Sequence, residues 1–200
     1  YTRATGKMSM VIAQNGPGIT GLVTPIKTAY WNHTPLLLVT PQAANKTMGQ
    51  GGFQEVEQMN LFKDMVCYQE EVRDPSRVAE VLNRVISKAI KGSAPAQLNI
   101  PRDFWTQVVD IELPPIIKFE RPSGGSEAIK NAAELLSNAK FPVILSGAGV
   151  VIGGAIEETK KLAEKLGSPV CSGYQHNDSF PGSHPLAVGP LGYNGSKAAM

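Results

Sequence analysis

The sequence predicts an α/β protein whose sheets are mostly parallel and covered by helices on both faces. Short apolar runs bounded by Gly, Pro and Asn alternate with longer segments whose apolar residues recur at helical spacing. Strands separated by helices in this way favour parallel pairing. The pattern also halts in a Pro- and Gly-rich stretch and then restarts, which predicts two domains.

Met8 to Gln14 reads as a strand that stops at Asn15-Gly16-Pro17-Gly18. Ile19 to Trp31 reads as one helix, with Leu22, Ile26, Ala29 and Tyr30 on one face. Pro35 ends it, and Leu36 to Thr40 is a second buried strand. A Gly- and Gln-rich connection, 41–53, leads to a short helix near Glu55 to Phe62 and a strand over Met65 to Gln69. Asp74-Pro75 opens a helix, because Asp caps free amides and Pro is tolerated in the first turn. Val78, Val81, Leu82, Val85 and Ala89 form its stripe, Gly92 is expected to stop it, and Ala96 to Ile100 is the next strand.

The segment 113–125 holds Pro114, Pro115, Pro122, Gly124 and Gly125 and reads as a linker. Ser126 is then the expected N-cap of a helix through Ser137, with Ile129, Ala133 and Leu136 on one face. Pro142 to Leu145 is a strand that ends at Ser146-Gly147-Ala148-Gly149. Ala155, Thr159, Leu162, Ala163 and Leu166 form a helical stripe capped by Gly167, and Pro169 to Ser172 is a strand. Beyond it the chain reads as loop, with a new helix starting at Ala198.

Composition narrows the function classes. The 200 residues are 42% hydrophobic and 18% charged, a globular profile. The net charge of +2 is spread along the chain and gives no reason to expect nucleic acid or a membrane as partner. No apolar run approaches the roughly 18 residues a membrane-spanning helix needs. The opening Tyr1-Thr2-Arg3-Ala4 shows no leader, which points to the cytoplasm. Cys67 and Cys171 sit in apolar runs and are expected as buried free thiols. No second ligand stands at zinc spacing, so no metal site is expected.

Three segments could carry chemistry. Gln14-Asn15-Gly16-Pro17-Gly18-Ile19-Thr20 ends a strand and opens a helix, the place where open α/β sheets bind ligands; a plain tight turn explains it equally well. Gly51-Gly52-Phe53-Gln54-Glu55 could wall a pocket with an aromatic and supply an amide, although a surface loop is the simpler account. Gly147-Ala148-Gly149 leads to Ile152 where a dinucleotide fingerprint needs Gly, with Gly153 one place late, so a close-packed turn is expected. His33 ends a helix and is expected to satisfy carbonyls there, while His176 and His184 are expected as solvated loop residues or to face a partner domain.

Asn15-Gly16-Pro17-Gly18-Ile19-Thr20, Pro35-Leu36-Leu37-Leu38-Val39-Thr40, Phe53-Gln54-Glu55 and Pro95 to Asp103, in this order, resemble the thiamine-diphosphate enzymes of the acetohydroxyacid synthase and pyruvate oxidase superfamily. Within it, Ala29 to Pro35, Glu71 to Arg77, Gly173 to Asp178 and Gly189 to Lys197 are similar to the sulfoacetaldehyde acetyltransferase family. The resemblance implies a partial pyrimidine-binding domain over 1–112, a linker over 113–125 and the first part of a Rossmann-like central domain over 126–200. It implies conversion of sulfoacetaldehyde and phosphate to acetyl phosphate and sulfite, in taurine degradation. The implied cofactors are thiamine diphosphate and Mg2+, the latter held outside this chain. It implies that Asn15, Gly16, Pro17, Gly18 and Thr20 bind the coenzyme, that Gln54 donates to a developing oxyanion, and that Phe53 excludes water. Charge alone makes Lys46 and His33 candidates to grip the sulfonate.

Gly21 stands where the family usually has Asn. The family's activating Glu is expected upstream and its Gly-Asp-Gly motif downstream, so these residues are expected to be inactive alone and prone to associate. A homodimer or homotetramer is expected for the full-length protein. Alternatives are an acetolactate-forming synthase and a non-catalytic nucleotide-binding module on the second half.

Overall fold

The computed structural model describes residues 1–115, 119 and 122–200. The expected linker falls partly on 116–118, 120 and 121, which lie outside the described residues. The chain divides into two compact units, Tyr1–Lys118 and Phe119–Met200.

The first unit contains helix α1 (Thr2–Thr5), strand β1 (Ser9–Ile12), helices α2 (Pro17–Thr20) and α3 (Val23–Trp31), strand β2 (Leu36–Gln42), helix α4 (Gln58–Phe62), strand β3 (Tyr68–Glu71), helix α5 (Val78–Gly92) and strand β4 (Pro95–Pro101). The sheet is parallel throughout, in the order β1-β2-β4-β3. Side chains alternate across a strand, so each strand feeds two layers. Leu37, Val39, Ala96 and Leu98 pack with Val81, Val85 and Ala89 of α5. Leu38 faces the other way and packs with Ile19, Ile26 and Phe62. Fully burying a side chain such as Leu38 contributes about 1.5–3 kcal/mol.

Nearer the carboxyl ends of the strands, that second layer turns polar. Gln97 donates to Thr40 Oγ1 (3.0 Å), Thr40 donates to Asn99 Oδ1 (2.6 Å), and Asn99 donates to Glu71 Oε2 (2.6 Å). Gln69 donates to Gln97 Oε1 (2.6 Å). These buried groups find partners in one another, as they must when water is excluded. The row ties three neighbouring strands together directly below the rim that carries the candidate site.

Several expectations need correction. The single helix over 19–31 is two helices. Pro25 lacks the N–H that would bond the Gly21 carbonyl, and its ring collides with that carbonyl, so a new helix starts at Val23 with Pro25 in its first turn. The short helix starts at Gln58, three residues later than expected, and the strand read as 65–69 runs from Tyr68 to Glu71. Gly92 does not stop α5. It is the helix's last residue, and a Cβ there would lie 3.0 Å from Cys67 Sγ. Ser93 instead takes the left-handed conformation, φ 47°. Cys67 is exposed rather than buried, although desolvation still pushes its thiol up; Cys171 is buried as expected.

The second unit contains helix α6 (Ser126–Asn138), strand β5 (Ile144–Ser146), helices α7 (Ala148–Gly153) and α8 (Ile156–Leu166), and strands β6 (Val170–Gly173) and β7 (Ala187–Leu191). Its sheet is parallel in the order β5-β6-β7. Its buried cluster is small: Ala163, Val170 and Phe180. Gly167 ends α8 in the left-handed region as expected, φ 60°. Ser126 is the first residue of α6 rather than its cap, and the helix buries none of its residues. β7 lies where a loop was expected. Gly189 (φ 92°) and Pro190 hide it from a pattern search, and the pairing with β6 shifts register beside Val170. Ala198 and Ala199 belong to a turn over 197–199 rather than to a helix. Among the described residues no helix is long and apolar enough to cross a membrane.

Candidate functional site

β1 ends at Ile12, and Ala13 to Gly16 carries the chain over the carboxyl rim of the sheet into α2. Pro17 starts that short helix, where its missing N–H costs nothing. The turn closes through Ile19 N–H to Gln14 O (3.0 Å) and Thr20 N–H to Gly16 O (2.9 Å), with Ile19 buried beneath. A Cβ on Gly18 would come within 3.2 Å of Ala13 Cβ, so the glycine lets the helix start sit tightly against the strand end.

β2 ends on the same rim, and the long connection after it turns back toward β1. Two contacts anchor its far end: Gln58 donates to Pro41 O (2.6 Å) and Gln42 donates to Val56 O (3.3 Å). Its Gly-rich part is shaped by Glu55, whose two carboxylate oxygens accept from Gly49 N–H (2.6 Å) and Gly52 N–H (3.1 Å). An ionised acceptor makes such bonds stronger than neutral ones.

This latch presents Phe53 and Gln54 to the turn after β1. Asn15 Nδ2 donates to the Gln54 carbonyl (3.1 Å), and Gln14 Nε2 donates to Gln54 Oε1 (2.7 Å). Gly16 (φ 70°) makes room for them: a Cβ there would lie 2.8 Å from Gln54 Cβ and 2.9 Å from its carbonyl oxygen. Gln54 itself is left-handed, φ 61°. A non-glycine residue holds that conformation only where its surroundings fix it. Two donors and the packed Gly16 do so here.

The structure therefore brings Asn15, Gly16 and Gln54 into direct contact and sets Phe53 beside them. Phe53 is 83% exposed, so nothing among the described residues covers its ring. The Thr20 hydroxyl donates to Pro17 O (3.2 Å) and is spent within its own helix. Gln14 and Glu55 are the residues whose roles the sequence did not reveal. Both stand inside the quoted segments, but no pattern marks which side chain reaches across the fold.

Lys46 lies in the exposed part of the same long connection. His33 does not belong to the site. It precedes β2 and ends α3 with its own left-handed backbone (φ 50°), its N–H bonding Tyr30 O (3.2 Å). That is the amino end of the sheet, roughly 20 Å of strand away from the rim. In the second unit, His176 is buried with Nδ1 3.6 Å from Asp178 Oδ1. His184 Nε2 meets Glu164 Oε1 at 3.1 Å, and its ring packs edge-on against Phe180. Neither is a solvated loop histidine. The glycines at 147 and 149 show no close packing, since a Cβ on either would meet nothing within 4 Å.

A second polar cluster lies at the β3 edge. Arg84 binds Glu70 (2.9 Å) and Glu80 (2.8 Å), and Arg77 also holds Glu80 (2.9 Å). Hydrogen bonds from Arg77 and Arg84 bring the Glu80 carboxyl down to about 2. Burial pushes Glu70 up, but Arg84 and the Tyr68 hydroxyl outweigh it and leave the carboxyl below its ordinary value. These groups pair with one another.

Residues 1–61 match the thiamine pyrophosphate enzyme N-terminal TPP binding domain, and residues 129–200 match the thiamine pyrophosphate enzyme central domain. All 200 residues align at 78% identity with a sulfoacetaldehyde acetyltransferase of Roseovarius nubinhibens. The chain belongs to the thiamine-diphosphate (thiamine pyrophosphate) enzymes. A probable sulfoacetaldehyde acetyltransferase of Rhizobium meliloti is 76% identical over the same 200 residues. The chain spans 33% and 34% of the length of these two relatives. Among solved structures, a thiamine diphosphate-dependent 4-hydroxybenzoylformate decarboxylase of Rhodococcus jostii RHA1 superposes with a TM-score of 0.85 at 25% identity, covering 96% of this chain and 37% of that one.

Membership in the thiamine-diphosphate enzymes makes a test of the rim possible. A flat, neutral aminopyrimidine needs backbone it can approach closely and uncharged hydrogen-bonding groups. The glycine turn at 16–18 and the Gln54 carboxamide offer both. A diphosphate with its metal ion needs carboxylates, and no group of three or more His, Cys, Asp or Glu among the described residues could hold one. The residues fit the ring end of the coenzyme and not its charged tail.

Proposed function

We propose that the full-length protein is a thiamine-diphosphate-dependent acetyltransferase that converts sulfoacetaldehyde and phosphate to acetyl phosphate and sulfite, a step in taurine degradation. The observation that carries this reading is the 78% identity to a sulfoacetaldehyde acetyltransferase along the whole chain. Residues 1–112 would be the later part of the pyrimidine-binding domain and 126–200 the first part of the central domain, joined by 113–125. Mg2+ and the diphosphate would be held by residues outside this chain, in a cytoplasmic homodimer or homotetramer.

When bound, thiamine diphosphate supplies a stabilised carbon nucleophile for aldehyde chemistry. The chain's own residues supply position and polarity. The backbone of Gly16, Pro17 and Gly18 would let the aminopyrimidine approach, with Asn15 and Thr20 keeping the turn in shape. Gln54 Oε1 is engaged by Gln14, so Nε2 is the end left to donate to an oxygen that gains negative charge. Phe53, exposed on the rim, would exclude water from an acyl group that water could otherwise hydrolyse. Lys46, on the same connection, is the remaining candidate for the sulfonate.

The test is an assay of the full-length protein for phosphate-dependent sulfite release from sulfoacetaldehyde, run beside acetolactate formation from pyruvate. Sulfite release is expected, and Gln54→Ala is expected to lower kcat/KM about 100-fold, the scale of one lost transition-state donor. Residues 1–200 alone are expected to show no turnover. Acetolactate without sulfite would overturn the reading.

A further inference from the structure

A carboxamide has two faces of opposite character. Its NH2 donates and its oxygen accepts, and rotation about the last side-chain torsion exchanges them at little cost. A glutamine at a reacting centre is therefore ambiguous unless something chooses its orientation. At Gln54 a neighbouring carboxamide donates to one of these faces. Gln14 Nε2 lies 2.7 Å from Gln54 Oε1, while Asn15 Nδ2 holds the Gln54 carbonyl at 3.1 Å. The left-handed backbone of Gln54 and the packed Gly16 fix where its side chain starts.

We propose that Gln14 is a positioning residue that makes Gln54 a one-way hydrogen-bond donor, so that the site accepts a substrate oxygen gaining negative charge at that point and disfavours a donor group there. This rests on the placement of Gln54 at the reacting centre given above. Gln14 need not touch the substrate. It acts by donating to the one acceptor atom of the Gln54 side chain, which makes the NH2 group the end without that partner.

Two substitutions at one position read the polarity. In full-length protein, Gln14→Lys keeps a donor of similar reach, so Gln54 keeps its orientation. Gln14→Glu places an acceptor there, so Gln54 turns its NH2 inward and its oxygen toward the substrate. Gln14→Glu is expected to lower kcat/KM for sulfite release about 30-fold at pH 8, equivalent to about 2 kcal/mol, and Gln14→Lys by less than about five-fold, the effect of one weak contact. The Gln14→Glu deficit relative to the parent should shrink as pH falls toward the carboxyl's ordinary value of about 4.3, because the protonated acid can donate to Gln54 Oε1 again.

Two further readouts do not depend on turnover. Coenzyme affinity, titrated by tryptophan quenching, should be unchanged within about two-fold in both variants, less than 0.5 kcal/mol. A crystal structure of apo Gln14→Lys should place Nζ in hydrogen-bond range of Gln54 Oε1. Equal losses in the two variants, a greater loss in Gln14→Lys, or a lysine pointing away from Gln54 would overturn the inference while Gln54→Ala still impairs the enzyme. If Gln54→Ala has no effect, the site reading itself fails.

Discussion

The sheet of the first unit is packed from both sides, whereas that of the second is packed around one small cluster. Leu38 and Leu98 sit in the middle of opposite layers at 0% and 2% exposure, with α5 below and α2, α3 and α4 above. In the second unit Leu145, in the first strand, is 62% exposed, and α6 buries none of its residues. The two units use the same strand-and-helix alternation. They differ in how much of the apolar stripe on each helix meets a sheet, since α8 gives only Ala163 to the buried cluster of its unit. The candidate site sits on the well-packed unit, and a rim held to about half an ångström needs such a base.

Truncating one leucine in each sheet should separate the two units most strongly. Leu38→Ala is expected to cost about 2–5 kcal/mol, the transfer term plus a cavity. Leu145→Ala is expected to stay within about 0.5 kcal/mol, as for other exposed positions. The two tryptophans, Trp31 and Trp105, both lie in the first unit, so their fluorescence during urea unfolding reads Leu38→Ala, while hydrogen exchange of the β5 amides reads Leu145→Ala in the second. Equal shifts for the two variants would mean that the second sheet is as well buried as the first.

The same contrast appears at single glycines. Gly16→Ala would force a Cβ to 2.9 Å from the Gln54 carbonyl oxygen, on backbone already at φ 70°. A loss of about 1–3 kcal/mol is expected, together with loosening of the Gln54 contact. Gly147, at φ −152°, has nothing within 4 Å of an added Cβ. Gly147→Ala should therefore be tolerated within about 0.5 kcal/mol. Urea midpoints for the pair measure this, and a neutral Gly16→Ala would show that the loop does not close on the turn in solution.

The first unit was also the more legible from sequence, for the same physical reason. The continuous apolar run Leu36 to Val39 and the stripe of Val81, Val85 and Ala89 are visible because both end in burial. Their meeting at the rim followed from strand direction alone, since parallel strands bring every βα turn to one end. Tertiary facts stayed hidden. Nothing local announces that Gln14 reaches Gln54 across forty positions, or that Glu55 folds back on Gly49 and Gly52. β7 was missed because its glycine and proline suppress the strand signal while the ladder to β6 supplies the pairing. No local pattern shows that the His184 ring is packed within its own unit rather than solvated or facing a partner domain, because its partners, Glu164 and Phe180, come from α8 and a connecting segment. Each miss is a case of long-range contact overriding local preference.

The smallest effect concerns how α5 and α8 end. α8 ends on Gly167 at φ 60°, the residue best suited to that backbone, while α5 ends on Ser93 at φ 47°. A side chain there carries part of the steric cost of the left-handed region, and glycine removes it. The cost of glycine's greater freedom in the unfolded chain offsets some of the gain. Ser93→Gly is expected to stabilise the first unit by about 0.5 kcal/mol, a rise of about 3 °C in its melting temperature. Gly92 must stay as it is, because an added Cβ would press within 3.0 Å of Cys67 Sγ. Moving the glycine by one position, as Gly92→Ser with Ser93→Gly, should therefore return less than Ser93→Gly alone. If the double variant equals the single one, the contact between α5 and Cys67 is not tight, and the packing advantage of the first unit does not extend to the end of that helix.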